Sequence, residues 1–332
     1  MHRVVFAITS KGYDIYSAMT RFAIASIRLT NPDFLITVAC DSDSNIALTK
    51  IDHPLLREVD HWQVVNTPQG DDTFRNRFVK TSLRRTISGP FLFLDSDTLV
   101  RGDLSPIFKT NADIAGARNH SRETLKKQIW VKDQEILDAM NWKVSDKVYI
   151  NGGVIFYNDT PKAYQFGETW HTKWLEDYNI HKRYRDQPSL NASIFDCQLK
   201  IHILEDTYNA QIEKSVNVAW DAKIWHYYFS GESNLLTQYE FVLSKKVFQN
   251  IPNLAVVREM IKRKHPWRRT YIIDDLIARK IHWQGKISIF DQSWLEGNRL
   301  IAIKIHFFEK YISVLKTLIR KGLSKIRNLV NL

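Results

Sequence analysis

Four consecutive apolar residues, Phe91, Leu92, Phe93 and Leu94, run straight into two carboxylates one residue apart, Asp95 and Asp97, in the stretch PFLFLDSDTLV. An unbroken apolar run of this length reads as a strand buried on both faces, which belongs to the parallel sheets of α/β proteins. Ligands of open α/β sheets sit beyond the carboxyl ends of the strands, where these acids fall. Residues two apart in a strand point the same way, so Asp95 and Asp97 can aim together into a cleft. Two hard oxygen donors there suit Mg²⁺ or Mn²⁺ held against a phosphate-bearing substrate. A surface turn is the plainer alternative, because Asp and Ser are common turn formers.

The flanking chain supports the α/β reading. Val4 to Thr9 reads as a buried strand, Tyr16 to Leu29 as a helix stopped by Asn31-Pro32, and Leu35 to Cys40 as a second strand. Strand, helix, strand is the order of a parallel sheet. Asp41 and Asp43 form another acid pair after a strand, read here as a turn in preference to a ribose contact. Trp62 to Val65 is a third strand. The helix expected between Asp72 and Arg85 carries Arg77 and Lys80, three apart on one face. Cations one helix before a metal strand are placed to meet a diphosphate, or else form a solvated face.

Farther along, Val148 to Asn158 is a strand interrupted by Gly152 and Gly153, the mark of a bulge or of close approach by a ligand or backbone. A sugar ring could lie against the glycines while Asn151 bonds its hydroxyls. Trp170 to Tyr178 reads as a helix. Pro188 suits the first turn of another, which puts Asp186 and Gln187 at a helix start, as caps or facing a cleft. Lys200 to Asn209 and Ile224 to Gly231 read as strands, and a lone His226 in an aromatic run reads first as a packed core residue.

Composition narrows the class. The chain has 332 residues, 44% hydrophobic and 12% aromatic, enough for one large α/β domain or a domain with an appendage. Two cysteines, Cys40 and Cys197, give no disulfide framework, which fits a reducing compartment. No basic and long apolar leader follows Met1, and no window approaches the ~18 apolar residues of a spanning helix. The expected localisation is cytoplasmic, peripheral on the inner face of the membrane, for a reason that lies in the tail.

The net charge of +11 is concentrated at that end. Residues 241–332 hold 19 Lys and Arg against 6 Asp and Glu, so residues 1–240 are nearly neutral. From Leu300 to Leu332, Ile301, Ile305, Phe308, Ile312, Leu315 and Ile319 recur at spacings of three and four beside Lys304, Lys310, Lys316, Arg320 and Lys321. An apolar stripe with a cationic face is the signature of a helix lying on an anionic membrane surface. A helix packed on the domain or on a second copy of the chain is the alternative. Nucleic acid is not expected as a partner, because the stripe would have no use there. The expected organisation is 1–240 as the catalytic domain and 241–332 as a basic, mainly helical attachment region.

In this order LFLDSDTLV, INGGVIFYN, RDQPSLN and LEDTYN resemble the blocks of metal-dependent glycosyltransferases of the GT-A fold, in particular the retaining family 8 enzymes, over roughly Val4 to Gly231. The resemblance implies a Rossmann-like, mostly parallel central sheet flanked by helices, to which this chain adds a basic helical C-terminal extension. It implies Asp95, Asp97 and His226 as ligands of Mn²⁺ or Mg²⁺, with Asp186, Gln187 and Asn151 as the catalytic group around the sugar. Thr9, Tyr13, Ser96, Arg77, Lys80, Gly152 and Gly153 then line the substrate, Tyr13 near the base. The implied partners are a nucleotide-diphosphate sugar, by the resemblance a UDP-sugar, and a glycan or glycolipid acceptor in envelope or surface polysaccharide synthesis. Two departures stand out: Gly231 lies five residues after His226 where the family has three, and Thr9 and Ser10 stand where it often has an acid. They motivate an alternative: a membrane-associated sugar-binding or scaffold protein of the same fold without transferase activity.

Overall fold

The computed structural model describes residues 2–119, 128–211, 222–227 and 254–262. They belong to a compact unit of residues 1–262; residues 263–332 form a second unit that lies outside the described residues, as does the tail helix expected there. Among the described residues, no helix is long and apolar enough to cross a membrane.

The first half alternates strand and helix as its apolar pattern requires. Strand β1 (Arg3–Ile8) leads to α1 (Ile15–Thr30), which starts at a capping box: Asp14 accepts from Ser17 N while the Ser17 hydroxyl accepts from Asp14 N. β2 (Leu35–Asp41) is followed at once by α2 (Ser42–Lys50), then a short α3 (Leu55–Glu58), β3 (His61–Val65) and α4 (Asp72–Thr86). The acid cluster after β2 is therefore the start of a helix and not a free turn. Asp41 is its N-cap residue, and the Ser44 hydroxyl donates back to the Asp41 carboxylate.

The second half holds β4 (Phe91–Leu94), β5 (Thr98–Val100), β6 (Ile114–Arg118), α5 (Val131–Ala139) and β7 (Ile150–Tyr157). Next come α6 (Pro161–His181), α7 (Gln187–Asp196), β8 (Ile201–Leu204), β9 (Ala210–Gln211), β10 (Ile224–His226) and α8 (Leu254–Lys262). α6 is longer than the expected Trp170 to Tyr178 because Thr160 caps it and Pro161 occupies its first turn. The strand expected through Asn209 stops at Leu204, after which Asp206–Asn209 coils into a 3₁₀ turn. β10 covers Ile224–His226, and the remainder of the expected strand beyond Tyr227 lies outside the described residues.

The central sheet has the order β3-β2-β1-β4-β7-β6-β8. Every neighbouring pair is parallel except those of β7, which runs against both β4 and β6. Alternation divides the core between its faces. Val4, Phe6, Ile8, Leu92 and Leu94 pack with Ala23, Ile24 and Ile27 of α1. Val5, Phe91 and Phe93 pack with Val79 and Leu83 of α4 and Phe166 and Trp170 of α6. Each such side chain contributes about 1.5–3 kcal/mol on burial. The continuous run FLFL is explained by these two covered faces. Helices α4 and α6 meet at Gly167, where a Cβ would lie 2.5 Å from the Arg84 Cβ. Arg84, 1% exposed, bonds the carbonyls of Gly89 and Ile87 and the Tyr164 hydroxyl.

A small second sheet decides the site. β5 pairs antiparallel with β10, and β10 pairs parallel with β9, in the order β5-β10-β9. The register sets His226 opposite Thr98, one residue past Asp97, and Tyr227 N donates to Asp97 O at 2.9 Å.

Candidate active site

Asp95 and Asp97 occupy the turn between β4, which ends in the central sheet, and β5, which begins the small one. The Asp95 amide donates to Gly153 O at 2.8 Å, so the turn is fastened to β7. Because β7 runs antiparallel, its beginning rather than its end lies at the carboxyl edge of β4, with Leu94 opposite Val154. That reversal delivers Asn151, Gly152 and Gly153 to the edge that the parallel strands use for ligands.

The three expected ligands converge. One ligand atom each from Asp95, Asp97 and His226 lie within 4.8 Å of one another. His226 Nε2 is 3.2 Å from Asp97 Oδ1 and 3.9 Å from Asp95 Oδ2. The imidazole is 3% exposed. Burial pushes its pKa down, but Asp97 and then Asp95 more than offset this and hold it above the ordinary value. Gly153 makes the approach feasible: a Cβ there would lie 2.2 Å from His226 Cε1 and 2.9 Å from Asp95 Oδ2. The space beside Gly153 is taken by the imidazole and the carboxylate, and this corrects the expectation of a sugar ring against it. The two-glycine interruption also carries the predicted irregularity, since the β6 to β7 register shifts between Gly116 and Arg118.

Lys80 joins the acids of two elements. Its Nζ lies 3.0 Å from Asp95 Oδ1 and 3.0 Å from Asp186 Oδ2, and its side chain is 4% exposed. Arg77, one helical turn earlier on α4, stands 4.0 Å from Asp186 Oδ1. Burial pushes the Asp186 carboxyl up, yet Lys80 and Arg77 outweigh it and hold the group below the usual carboxylate range. Both α4 cations thus face the acids, and the solvated-face alternative falls away for them.

The RDQPSLN block acquires a geometric meaning on α7. Gln187 and Asn191 are one helical turn apart and together clamp the start of β7. Gln187 Oε1 accepts from Gly152 N at 3.2 Å; Asn191 accepts from Ile150 N at 2.8 Å and donates to Ile150 O at 3.0 Å. Asp186 is the N-cap residue but its side chain makes no capping bond, which leaves the carboxylate to Lys80 and Arg77. Asn151 is engaged on all sides. Its oxygen accepts from Gly153 N and Asn209 Nδ2, and its amide nitrogen donates to Asn119 Oδ1 and Gln187 Oε1. These fill its hydrogen-bonding capacity, so contact with a sugar hydroxyl would require it to exchange one of them.

The remaining expected residues are placed differently. Ser96 accepts from the Thr20 hydroxyl of α1 at 2.9 Å. Thr9 is buried at the end of β1, and its hydroxyl has no hydrogen-bond partner among the described residues. Tyr13 is exposed and rests on the His53 ring at 4.7 Å. Sequence reasoning passed over Asp133 on α5, which is fully buried, takes Arg185 Nε at 2.7 Å and lies 3.4 Å from Gln187 Nε2. One acid in a polar helix carries no local signal of that role. Asn209 was also left without a role, although it ends the LEDTYN block.

The model of glycosyl transferase family 8 matches residues 90–232, a span that holds Asp95, Asp97, Asn151, Asp186, Asn209 and His226. No curated protein matches the sequence closely enough to count as a relative. Among solved structures, the galactosyltransferase LgtC, in complex with donor and acceptor sugar analogs, is similar with a TM-score of 0.51 and 16% identity over 79% of this chain and 95% of that one. An active-site mutant of LgtC gives 0.51 and 15% over 78% and 95%. The apo bifunctional glycosyltransferase WbbM gives 0.50 and 13% over 78% and 51%. At such identities the likeness speaks for the fold, and the family match speaks for the chemistry of the segment that builds the edge. The chain has the GT-A fold of the glycosyltransferases it is similar to, and over residues 90–232 it resembles glycosyl transferase family 8.

Proposed function

We propose that this chain is a metal-dependent hexosyltransferase that moves a sugar from a nucleotide-diphosphate donor, a UDP-sugar by the family resemblance, to a glycan or glycolipid acceptor with retention at the anomeric carbon. The observation that carries the proposal is the convergence of Asp95, Asp97 and His226 at the carboxyl edge of the sheet. Ligand atoms around one Mg²⁺-sized ion, at 2.0–2.1 Å each, are about 3–4 Å apart. The observed 4.8 Å is a small closure away from that. Two carboxylates and one imidazole are a donor set that Mn²⁺ or Mg²⁺ accepts.

A divalent cation held there would supply positive charge to the departing diphosphate oxygens. The protein's own groups do the rest. Lys80 and Arg77 add cationic charge on the same side, fixed before the substrate arrives, so no reorganisation is needed when the leaving group becomes more negative. Asp186 is kept ionised by those cations, and a carboxylate near the sugar stabilises an anomeric carbon that gains positive character. Lys80, lying between Asp95 and Asp186, also keeps the two acids from repelling each other while the site is open. Gln187 and Asn191 hold β7 in register, and Asp133 holds Gln187.

The basic stripe of 300–332 supports attachment to an anionic membrane on the cytoplasmic side, consistent with a lipid-linked or envelope acceptor in polysaccharide synthesis. Sedimentation with anionic vesicles tests this: the full chain should pellet, and a chain ending before Leu300 should not. The activity itself is tested by a panel of nucleotide sugars. Donor turnover should stop with EDTA and return with Mn²⁺, and undiminished turnover by Asp97→Ala would sink the proposal.

A further inference from the structure

Resting on the metal reading above, we infer that Asn209 is a positioning residue that fixes the tautomer of His226, so that the Nε2 lone pair is directed at the cation held by Asp95 and Asp97. The direction of every hydrogen bond in the chain leading to His226 follows from one backbone group. Gly153 N can only donate, and it lies 2.9 Å from the Asn151 side chain, so the Asn151 atom that faces it is the oxygen. That same oxygen is 3.0 Å from Asn209, which must therefore turn its amide nitrogen toward Asn151. The atom that Asn209 then presents to the imidazole, 2.9 Å from Nδ1, is its oxygen. An oxygen accepts only, so Nδ1 carries the proton and Nε2 is left as the metal-facing nitrogen. Reversing the Asn209 amide would set two oxygens against each other beside Asn151, in a site where Asn209 is fully buried.

Asn209 is supplied from the 3₁₀ turn Asp206–Asn209, and the next two residues form β9, which pairs with β10 at Trp225 and His226. Asn209 immediately precedes β9 and His226 ends β10, so the pairing of these two strands in the small sheet brings the asparagine and the histidine together. Partners of this kind behind a metal-bound histidine typically account for 10- to 100-fold in metal affinity.

The test uses the full-length protein and Mn²⁺ alone. Free Mn²⁺ is counted by its electron paramagnetic resonance signal, and coordination by the imidazole is read from the nitrogen modulation of the bound ion. Asn209→Leu, which keeps the branched heavy-atom skeleton and removes the acceptor, should weaken Mn²⁺ binding 10- to 100-fold and lose the nitrogen modulation. Asn209→Asp, which still accepts from Nδ1, should keep both within a few-fold while melting at a lower temperature, because its second oxygen faces Asn151 Oδ1. If Asn209→Leu does not fold, Asn209→Ser takes its place, too short to reach Nδ1 yet still polar. Wild-type affinity and modulation in Asn209→Leu or Asn209→Ser, alongside their loss in His226→Ala, would overturn the inference and leave the metal reading intact. Equal Mn²⁺ binding by wild type and His226→Ala, with no nitrogen modulation in either, would overturn the metal reading and this inference with it.

Discussion

The central sheet presents the same short pattern twice, an apolar strand running into two aspartates one residue apart, and treats the two copies in opposite ways. After β2, Asp41 is fully buried at the N-cap position of α2, where its side chain makes no capping bond, and is bonded to Arg75 Nε at 2.7 Å, while Asp43 points outward with its side chain 69% exposed. After β4, Asp95 and Asp97 are both partly buried and both face His226. What separates them is the chain that follows. The helix that begins at Ser42 turns Asp43 outward in its first turn, while Asp41 stays buried against Arg75 and Ser44. The turn into β5 instead brings β10 alongside, with His226 in register. An acid pair becomes a site when the next element carries a partner to it; spacing alone does not decide.

The largest break in that comparison should come from Asp97→Ala, with a loss of at least about 100-fold in donor turnover, since a ligand to the cation at the leaving group is worth several kcal/mol. Asp41→Ala should leave Mn²⁺ binding near the wild-type value but lower stability by about 2–3 kcal/mol in a denaturant titration, because Arg75 loses its buried partner. Gly153→Ala sharpens the contrast from the side of β7: its methyl would displace the His226 ring and weaken Mn²⁺ binding about tenfold, with no counterpart at the β2 edge.

Two buried histidines outside both pairs should make the fold sensitive to acid above pH 4. Burial pushes His171, bonded to the Thr81 hydroxyl behind α4, to about 4, and His53 likewise to about 4, from an ordinary 6.5. Both are neutral in the folded chain where the unfolded chain already takes up protons. The contribution of these two histidines to stability is therefore full above pH 6.5 and is lost as the pH drops toward 4. Melting temperatures across that range should show the fall, and His171→Gln should flatten it. The smallest effect is expected from Asp43→Ala, within about 0.5 kcal/mol and without change in turnover, the mirror of Asp97→Ala at the same position of the repeated pattern.

Much of this was legible in residues, because the signals were local. The run FLFL announced a strand covered on both sides, the stop at Asn31 bounded the first helix, and the α4 cations lay one turn apart, whereas the caps at Asp14 and Thr160 that start α1 and α6 went unread. What escaped was long-range. SDSN at Ser42 to Asn45 has the composition of a turn, and only the Asp41 and Ser44 contacts show why it coils. The direction of β7 leaves no trace in its own sequence, yet it decides that Asn151 and Gly153 reach the edge at all. Two adjacent glycines in a strand signal a bulge or close approach by a ligand or backbone, and nothing local tells that the room at Gly153 is for His226. Asp133 and Asn209 act on residues far along the chain, and spacing within a window cannot reveal that.

The reversed strand also has a consequence for the order in which the protein assembles. β7 lies between β4, about 60 residues earlier in the chain, and β6, and it cannot be added at a free margin of the sheet as β3 and β8 can. Its docking closes long loops, which is the slow part of forming a sheet. Until it docks, Gly153 and Asn151 are not in place, and the Asn209 amide lacks the Asn151 oxygen that orients it toward His226. Helical structure can therefore return early in refolding, while competence to hold a cation should appear only with the last, slowest phase.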